Sequence, residues 1–281
     1  MSINFVKKII FALQLIFILV CLAYTLNIMM LRDNNIANDS FKVKIQEFNN
    51  PQSKLIGSVF KEIYLKNLWE KHGLNNGGGS GWGSSPFFTT ETRKILFNVI
   101  NNYKIRSMID APCGSMVWIR PLLLNLTRQK NLKYLGVDIV ESLITQVKHE
   151  FPLRNIDFVQ ADFTQSFTQN SYELVLSRDG FQHLPLIKII DALRVFSEIP
   201  NARYLLVSSY LNNLKNKNIR IGDYFAINLT VHPFNMTKHV AVFKENKAER
   251  EIDQKFLILF EMEYLQKFDF EAMKHEANKI K

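Results

Sequence analysis

The feature that most constrains the fold is an alternation of short apolar runs with stretches whose apolar residues have helical spacing. The apolar runs are Ser107 to Ile109, Tyr134 to Val137, Ile156 to Val159, Leu174 to Leu176 and Tyr204 to Val207. The helix-spaced stretches are Val117 to Arg128, Glu141 to Glu150 and Pro185 to Glu198. This alternation predicts an α/β fold with a mostly parallel sheet and helices on both faces. Two later β-like runs, Val240 to Phe243 and Phe256 to Phe260, could form an antiparallel pair at the sheet edge.

Two predicted helices precede this alternation. Apolar residues at helical spacing predict the first over Ser58 to Lys71, with Gly73 ending it, and the second over Thr89 to Asn102, with Thr89 as its N-cap. A glycine- and serine-rich loop that carries Trp82 lies between them. We therefore place the folded domain at residues 57–281.

The N-terminal region contains an uncharged apolar segment, Ile9 to Leu31, which is long enough to cross a bilayer. Lys7 and Lys8 precede it, so the positive-inside rule predicts a cytosolic tail at residues 1–8, a signal anchor at 9–31 and a luminal stem at 32–56. The expected product is a single-pass type II membrane protein of the ER or Golgi. The alternative is a signal peptide cleaved near Ala23, with secretion of the domain.

Charge and cysteine content limit the possible partners. The net charge is +9, but the basic residues are interleaved with acidic ones and never form a run of five, so we expect no nucleic-acid partner. The two cysteines are Cys21, in the apolar segment, and Cys113, so no disulfide is expected within the domain. No cluster of His, Asp and Glu has an obvious metal-ligand spacing, and we expect no metal.

Polar residues follow the predicted strands at the edge where open parallel sheets bind ligands. The first strand leads into Asp110-Ala111-Pro112-Cys113-Gly114, a tight turn without the G-x-G-x-x-G pattern, which argues against a dinucleotide. The second ends at Asp138, which is suited to accept hydrogen bonds from ribose hydroxyls. The third ends in Asp162-Phe163, a carboxylate for an adenine amine and a ring to flank the base. These turns predict a nucleoside ligand.

The series MIDAPCGSM, YLGVDIVESLI, FVQADF and YELVLSRDGFQHLP resembles the core of class I S-adenosylmethionine-dependent methyltransferases. More narrowly, the DAPCG turn, the RDGFQHL turn and the NIRIGDYFAINLTVHPF segment resemble a group of small methyltransferases whose substrates are mostly unassigned. The resemblance covers roughly Ser58 to Leu265. It implies a Rossmann-like methyltransferase fold with a seven-stranded sheet. Pro112 and Met116 stand where glycines are common in the wider superfamily, although the narrower group shares the proline.

The resemblance implies S-adenosylmethionine (SAM) as cofactor and assigns roles residue by residue. Asp110 and Gly114 would hold its amino-acid end, Asp138 its ribose and Asp162 its adenine. The full set expected at the cofactor is Asp110, Ala111, Pro112, Cys113, Gly114, Asp138, Ile139, Asp162, Phe163 and Arg178. Cys113 is expected to pack in its turn, because direct methyl transfer needs no nucleophilic thiol.

Methyl transfer to a hydroxyl requires a base. Asp179 and His183 are the candidates, either one being the base and the other its orienting partner. Alternatively, Arg178 and Asp179 pair with each other or with the cofactor, while His183 caps the helix at Pro185. The predicted luminal compartment favours O-methylation of a sugar or glycan. The alternatives are methylation of a small molecule or lipid at the membrane, and a non-catalytic module that binds SAM without turnover.

Overall fold

The computed structural model describes residues 50–70, 78–168, 170–245 and 253–280. The predicted tail and membrane segment, and all of the predicted stem before Asn50, lie outside these residues. Within the described ranges, none of the helices is both long and apolar enough to cross a bilayer. The helices and strands below belong to one unit of contacts within Val43–Phe151 and Asn155–Lys281.

A seven-stranded sheet forms the centre of this unit. The strands are β1 (Ser107–Asp110), β2 (Lys133–Asp138), β3 (Ile156–Gln160), β4 (Leu174–Ser177), β5 (Tyr204–Ser209), β6 (Ala241–Lys244) and β7 (Phe256–Glu261). Their order across the sheet is β3-β2-β1-β4-β5-β7-β6. β1 to β5 are parallel, and β7 runs antiparallel to both β5 and β6. The predicted mostly parallel sheet and the antiparallel pair at its edge are both confirmed.

The helices are α1 (Pro51–Leu65), α2 (Thr90–Asn102), α3 (Arg120–Lys130), α4 (Glu141–Glu150), α5 (Leu186–Ser197), α6 (Met262–Leu265) and α7 (Phe270–Ala277). α5 shows why they cover the sheet. Leu186, Ile189, Ile190 and Leu193 recur at helical spacing and are fully buried in one core cluster with β4 and β5. The strands of a sheet covered in this way carry continuous apolar runs, because both of their faces are buried.

α1 differs most from its prediction. It begins at Pro51 and not at Ser58, because the side chain of Asn50 accepts a hydrogen bond from the Gln52 amide (2.9 Å) and proline suits the first helical turn. Ser53 and Ile56, which fall within the predicted stem, are therefore buried residues of the domain. Ile56 packs against the loop and helix that follow β2, so α1 contributes directly to the ligand-binding edge of the sheet.

The boundaries of two further helices also differ. Thr89 does occupy the N-cap position of α2, but its hydroxyl donates to the Ser85 carbonyl (2.8 Å) and does not cap the helix. α3 begins at Arg120 and not at Val117, because residues 117–119 form turns and Pro121 suits the first helical turn. Met116, just before these turns, has a left-handed φ of 63°.

Candidate active site

A cavity of about 390 Å³ opens at the carboxyl ends of β1, β2, β3 and β4. Its floor is formed by the turns after these strands, and its opposite wall by α1, Trp69 and the Ser80–Ser84 loop. The volume lies within the range of small-molecule sites, and the place is the one that open parallel sheets use for ligands.

The turn after β1 brings the backbone close to the cavity. Gly114 has a left-handed φ of 58°, and a Cβ atom there would lie 2.9 Å from Ser80 Oγ, so only glycine fits. The Ser80 hydroxyl in turn accepts from the Ser115 amide (3.0 Å) and is 2.8 Å from the Tyr64 hydroxyl. The loop and α1 are thus tied to this turn by hydrogen bonds.

Asp138 lies at the end of β2, with its carboxylate at the cavity wall. Its oxygens accept hydrogen bonds from the amides of Gly114 (3.1 Å) and Val140 (3.0 Å). Burial raises the pKa of Asp138 to about 6, although the same amide hydrogen bonds lower it. A carboxylate fixed in this way can accept hydrogen bonds from ligand hydroxyls, and those bonds would stabilise its charged form.

The raised pKa of Asp138 predicts that ligand affinity depends on pH. Hydroxyl donors require the ionised carboxylate, so affinity for a ribose-containing ligand should be full above pH 6. Below the pKa it should fall about tenfold for each pH unit, because protonation and binding compete. Titration calorimetry from pH 5 to 8 measures the effect. Asp138→Asn should leave a weaker affinity that no longer varies with pH in this range, and an unchanged slope in that variant would contradict the assignment.

Asp162, at the end of β3, is held from two directions. One oxygen accepts from the backbone amide and the hydroxyl of Thr164 (2.9 and 2.7 Å), and the other accepts from the Ser53 hydroxyl of α1 (2.6 Å). This buried contact between residues 109 positions apart links α1 to the predicted adenine end of the cavity. The carboxylate retains lone pairs for a further donor.

Asp110 and Ala111 do not line the cavity, unlike the other predicted cofactor residues. Asp110 is 1% exposed and accepts from the Tyr134 hydroxyl (2.8 Å) behind the turn. Burial raises its pKa to about 7, although the hydrogen bond from Tyr134 lowers it. The structure thus gives Asp110 a buried position that supports the turn.

Met116 adopts a left-handed backbone conformation, which explains why glycine is common at this position. In a residue larger than glycine, this conformation costs about 1–2 kcal/mol.

Pro112 and Cys113 complete the turn. The Ala111–Pro112 peptide bond is cis. The thiol of Cys113 is 2% exposed, and burial raises its pKa well above the usual value, so it remains protonated and is a poor nucleophile. This agrees with the expectation that Cys113 packs in its turn.

The ring of Pro112 lies against Gly180, where a Cβ atom would approach Pro112 Cδ to 2.4 Å. Because the ring cannot move aside without moving the turn, Gly180→Ala is expected to lower the melting temperature by about 3–10 °C, the effect of an overpacked site in a domain of this size. Calorimetry measures the shift. Gly83→Ala is the matched control, since its Cβ atom would meet Asp179 Oδ2 at an ordinary 3.5 Å. Equal shifts in the two variants would refute the steric explanation.

Arg178 and Asp179, after β4, belong to a buried group of four charges that we call the ion quartet: Arg178, Asp179, Glu245 and Lys255. Arg178 contacts Asp179 at 3.0 Å and Glu245 at 2.6 Å, and Lys255 contacts the same two carboxylates at 2.7 and 3.4 Å. Despite its burial, the two cations hold the pKa of Asp179 well below its usual range. Asp179 is therefore a very weak base, and the predicted pairing of Arg178 with Asp179 is present.

His183 is positioned by a partner that was not predicted. Its Nδ1 is 3.0 Å from the Asp223 carbonyl oxygen, which can only accept, so Nδ1 carries the proton and Nε2 is left as an acceptor. The ring lies beside Trp69, with centroids 4.6 Å apart, and 5.7 Å from the ring of Tyr224. Burial lowers the pKa of His183, which favours the neutral imidazole. The orienting group of His183 is thus a backbone carbonyl and not Asp179, and Pro185 occupies the N-cap of α5.

Ten of the twelve predicted site residues line the cavity: Pro112, Cys113, Gly114, Asp138, Ile139, Asp162, Phe163, Arg178, Asp179 and His183. Trp82 and Tyr224, two aromatic residues outside the predicted helices and strands, also line it. Sequence reasoning missed Ile56, Phe60, Tyr64, Trp118, Tyr210 and Lys255. The helical spacing of Phe60 and Tyr64 in α1 is the one sequence signal that could have identified them as site residues.

Comparisons with known proteins agree with this geometry. Residues 109–202 match a family described as a methyltransferase domain. The fold resembles magnesium protoporphyrin IX methyltransferase from Synechocystis PCC 6803 with bound SAM, at 10% identity and a TM-score of 0.51, covering 75% of this chain and 96% of that one. It also resembles the N-methyltransferase NodS from Bradyrhizobium japonicum WM9 in complex with S-adenosyl-L-homocysteine, at 12% identity and a TM-score of 0.52, covering 71% and 97%. At these identities the likeness shows a shared fold. No curated protein has a significant sequence match to the chain.

Proposed function

We propose that this chain is a class I SAM-dependent methyltransferase that transfers the methyl group to a hydroxyl of a sugar or glycan, with His183 as the general base. The observation that carries the proposal is the neutral, oriented imidazole of His183 in an aromatic-walled cavity beside the cofactor turns. Methylation of such a hydroxyl forms an ether and releases a proton, which Nε2 would accept.

The cavity suits SAM on the chemistry of its walls. Asp138 and Asp162 present carboxylate oxygens for the ribose hydroxyls and the adenine amine, and Phe163 lies beside them for the base. Gly114, where a Cβ atom would collide with Ser80, lets the backbone approach the amino-acid end. When bound, SAM supplies an electrophilic methyl group on a sulfonium centre. The residues of the chain need only align donor and acceptor, because the transfer is an in-line displacement.

The acceptor would lie on the side of His183. Trp69 and Tyr224 flank its ring, and the hydroxyl of Tyr224 donates to that of Tyr210 (3.0 Å). The apolar face of a sugar ring can pack on such aromatic surfaces while its hydroxyls reach polar groups at their edges. Asp179 would remain ionised in the ion quartet and act by fixing the turn.

The proposed location follows from the N-terminal sequence. Ile9 to Leu31 would anchor the protein as a single-pass type II membrane protein, with the domain in the lumen of the ER or Golgi. Acceptors in that compartment include glycans, which supports the choice of a sugar hydroxyl. Fold alone assigns no substrate.

The proposal is tested by offering the purified full chain a panel of mono- and oligosaccharides with trideuteromethyl-labelled SAM. We expect a labelled methyl ether on a sugar oxygen, located by mass spectrometry after fragmentation. His149, on the exposed face of α4, provides the matched control: His149→Ala should retain the product that His183→Ala loses. A labelled methyl group on nitrogen, or labelling by the wild type of lipids alone, would overturn the sugar assignment.

A further inference from the structure

Three aromatic side chains form an exposed cluster at the rim of the cavity. Trp82 lines the cavity and is 50% exposed, and its ring centroid lies 4.9 Å from that of Phe88. Phe87 continues the cluster outward, 5.2 Å from Phe88, and is 82% exposed. Large apolar residues exposed as a contiguous group, unlike scattered single ones, mark a surface that contacts something apolar.

The chain segment that carries this rim cluster is itself uncharged, although Arg93 of α2 donates to the Pro86 carbonyl (2.8 Å). The segment from Gly78 to Thr90 contains no charged residue. Other exposed apolar side chains belong to segments that contribute to the cavity wall but do not themselves line the cavity: Leu55 and Leu65 in α1, and Leu68 beside Trp69. Much of the exposed apolar surface of the described residues therefore lies on the segments that wall the cavity.

We infer that the rim cluster of Trp82, Phe87 and Phe88 docks on the surface of a lipid bilayer. The inference rests on the membrane anchor in the proposed function. Aromatic side chains are the residues that insert into the headgroup region of a bilayer, and the segment from Gly78 to Thr90 carries no charge that insertion would have to dehydrate. The cavity would then open at the membrane, where it meets acceptors carried on the bilayer.

The length of chain before α1 supports the bilayer as the occupant. From Leu31 to Asn50 the chain can span at most about 65 Å, at roughly 3.4 Å per residue. A domain of this size is roughly 45 Å across, so a tether of this length holds every face within reach of the bilayer. Such a tether raises the local lipid concentration strongly, and a patch of three rings is then sufficient for docking.

Tryptophan fluorescence tests the inference, because the chain carries its three tryptophans at 69, 82 and 118 and none in the apolar segment. The full chain is reconstituted in phosphatidylcholine liposomes whose acyl chains are brominated near the headgroup. We expect quenching of the wild type, loss of that quenching in Trp82→Phe, and at least a twofold reduction in Phe87→Ser/Phe88→Ser. Phe97→Ser, an exposed aromatic of α2 at 37% exposure, is the matched control and should be quenched like the wild type.

Each other outcome overturns the inference. Absence of wild-type quenching, or equal quenching in Phe87→Ser/Phe88→Ser, would exclude docking by the rim cluster. Light scattering that shows dimers lost only in Phe87→Ser/Phe88→Ser would assign the cluster to a second copy of the chain. Flotation of this variant with the liposomes tests membrane anchoring separately from docking. Because fluorescence quenching requires no methyl transfer, a failure of the proposed methyltransferase function would leave this result unchanged.

Discussion

Asp138→Ala is expected to weaken SAM binding at pH 7.5 by at least about 100-fold, the scale of losing charge-assisted hydrogen bonds to both ribose hydroxyls. The substitution also removes the acceptor for the amides of Gly114 and Val140, so the turn after β1 loses its fixed position. Both effects act on the cofactor, and titration calorimetry measures them in the binding constant.

The matched control for this prediction is Glu141→Ala. Glu141 lies at the start of α4, close to Asp138 in sequence, but its side chain is exposed. The Glu141→Ala variant should bind SAM with the same affinity as the wild type. If Asp138→Ala is folded, as judged by circular dichroism, and still binds SAM with wild-type affinity, Asp138 is not part of the cofactor site.

His183→Ala is expected to lower kcat by about 10²–10⁴-fold while leaving the SAM dissociation constant within about twofold of the wild type. If His183 is the base, its loss should slow proton removal from the acceptor and leave donor binding intact, because its ring contacts Trp69, Tyr224 and the Asp223 carbonyl. Radiolabelled methyl transfer at saturating SAM measures kcat, and calorimetry measures binding. An unchanged kcat would exclude His183 as the base.

The pH–rate profile separates His183 from Asp179. With His183 as the base, kcat/KM for the acceptor at saturating SAM should rise with pH through the lowered pKa of the histidine and then become constant, because only the neutral imidazole accepts a proton. Asp179→Asn leaves Arg178 and Lys255 with one fewer carboxylate, so it should lower thermal stability but preserve the shape of this profile. Loss of the rising limb in Asp179→Asn would reverse the two roles.

Features encoded locally were predictable from the sequence. β1 to β5 and the turns that follow them were placed correctly because a buried parallel strand reads as a continuous apolar run and its ligand-binding turn follows at once. Asp138, Asp162 and Gly114 were located by this reasoning, and the structure brings all three to the cavity.

Features that depend on contacts distant in sequence were not predictable. The hydrogen bond from Ser53 to Asp162 joins residues 109 positions apart. The carbonyl that orients His183 is 40 positions away, and Glu245 is 67 positions from Arg178. Each of these pairs forms only when the chain folds, so no periodic pattern records it.

A crystal structure of the full chain with S-adenosylhomocysteine would show whether the cavity is the cofactor site. We expect ribose hydroxyls within about 3 Å of the Asp138 carboxylate and the thioether sulfur directed toward the space beside His183 Nε2. A nucleoside bound elsewhere, or a sulfur directed away from His183, would contradict this expectation.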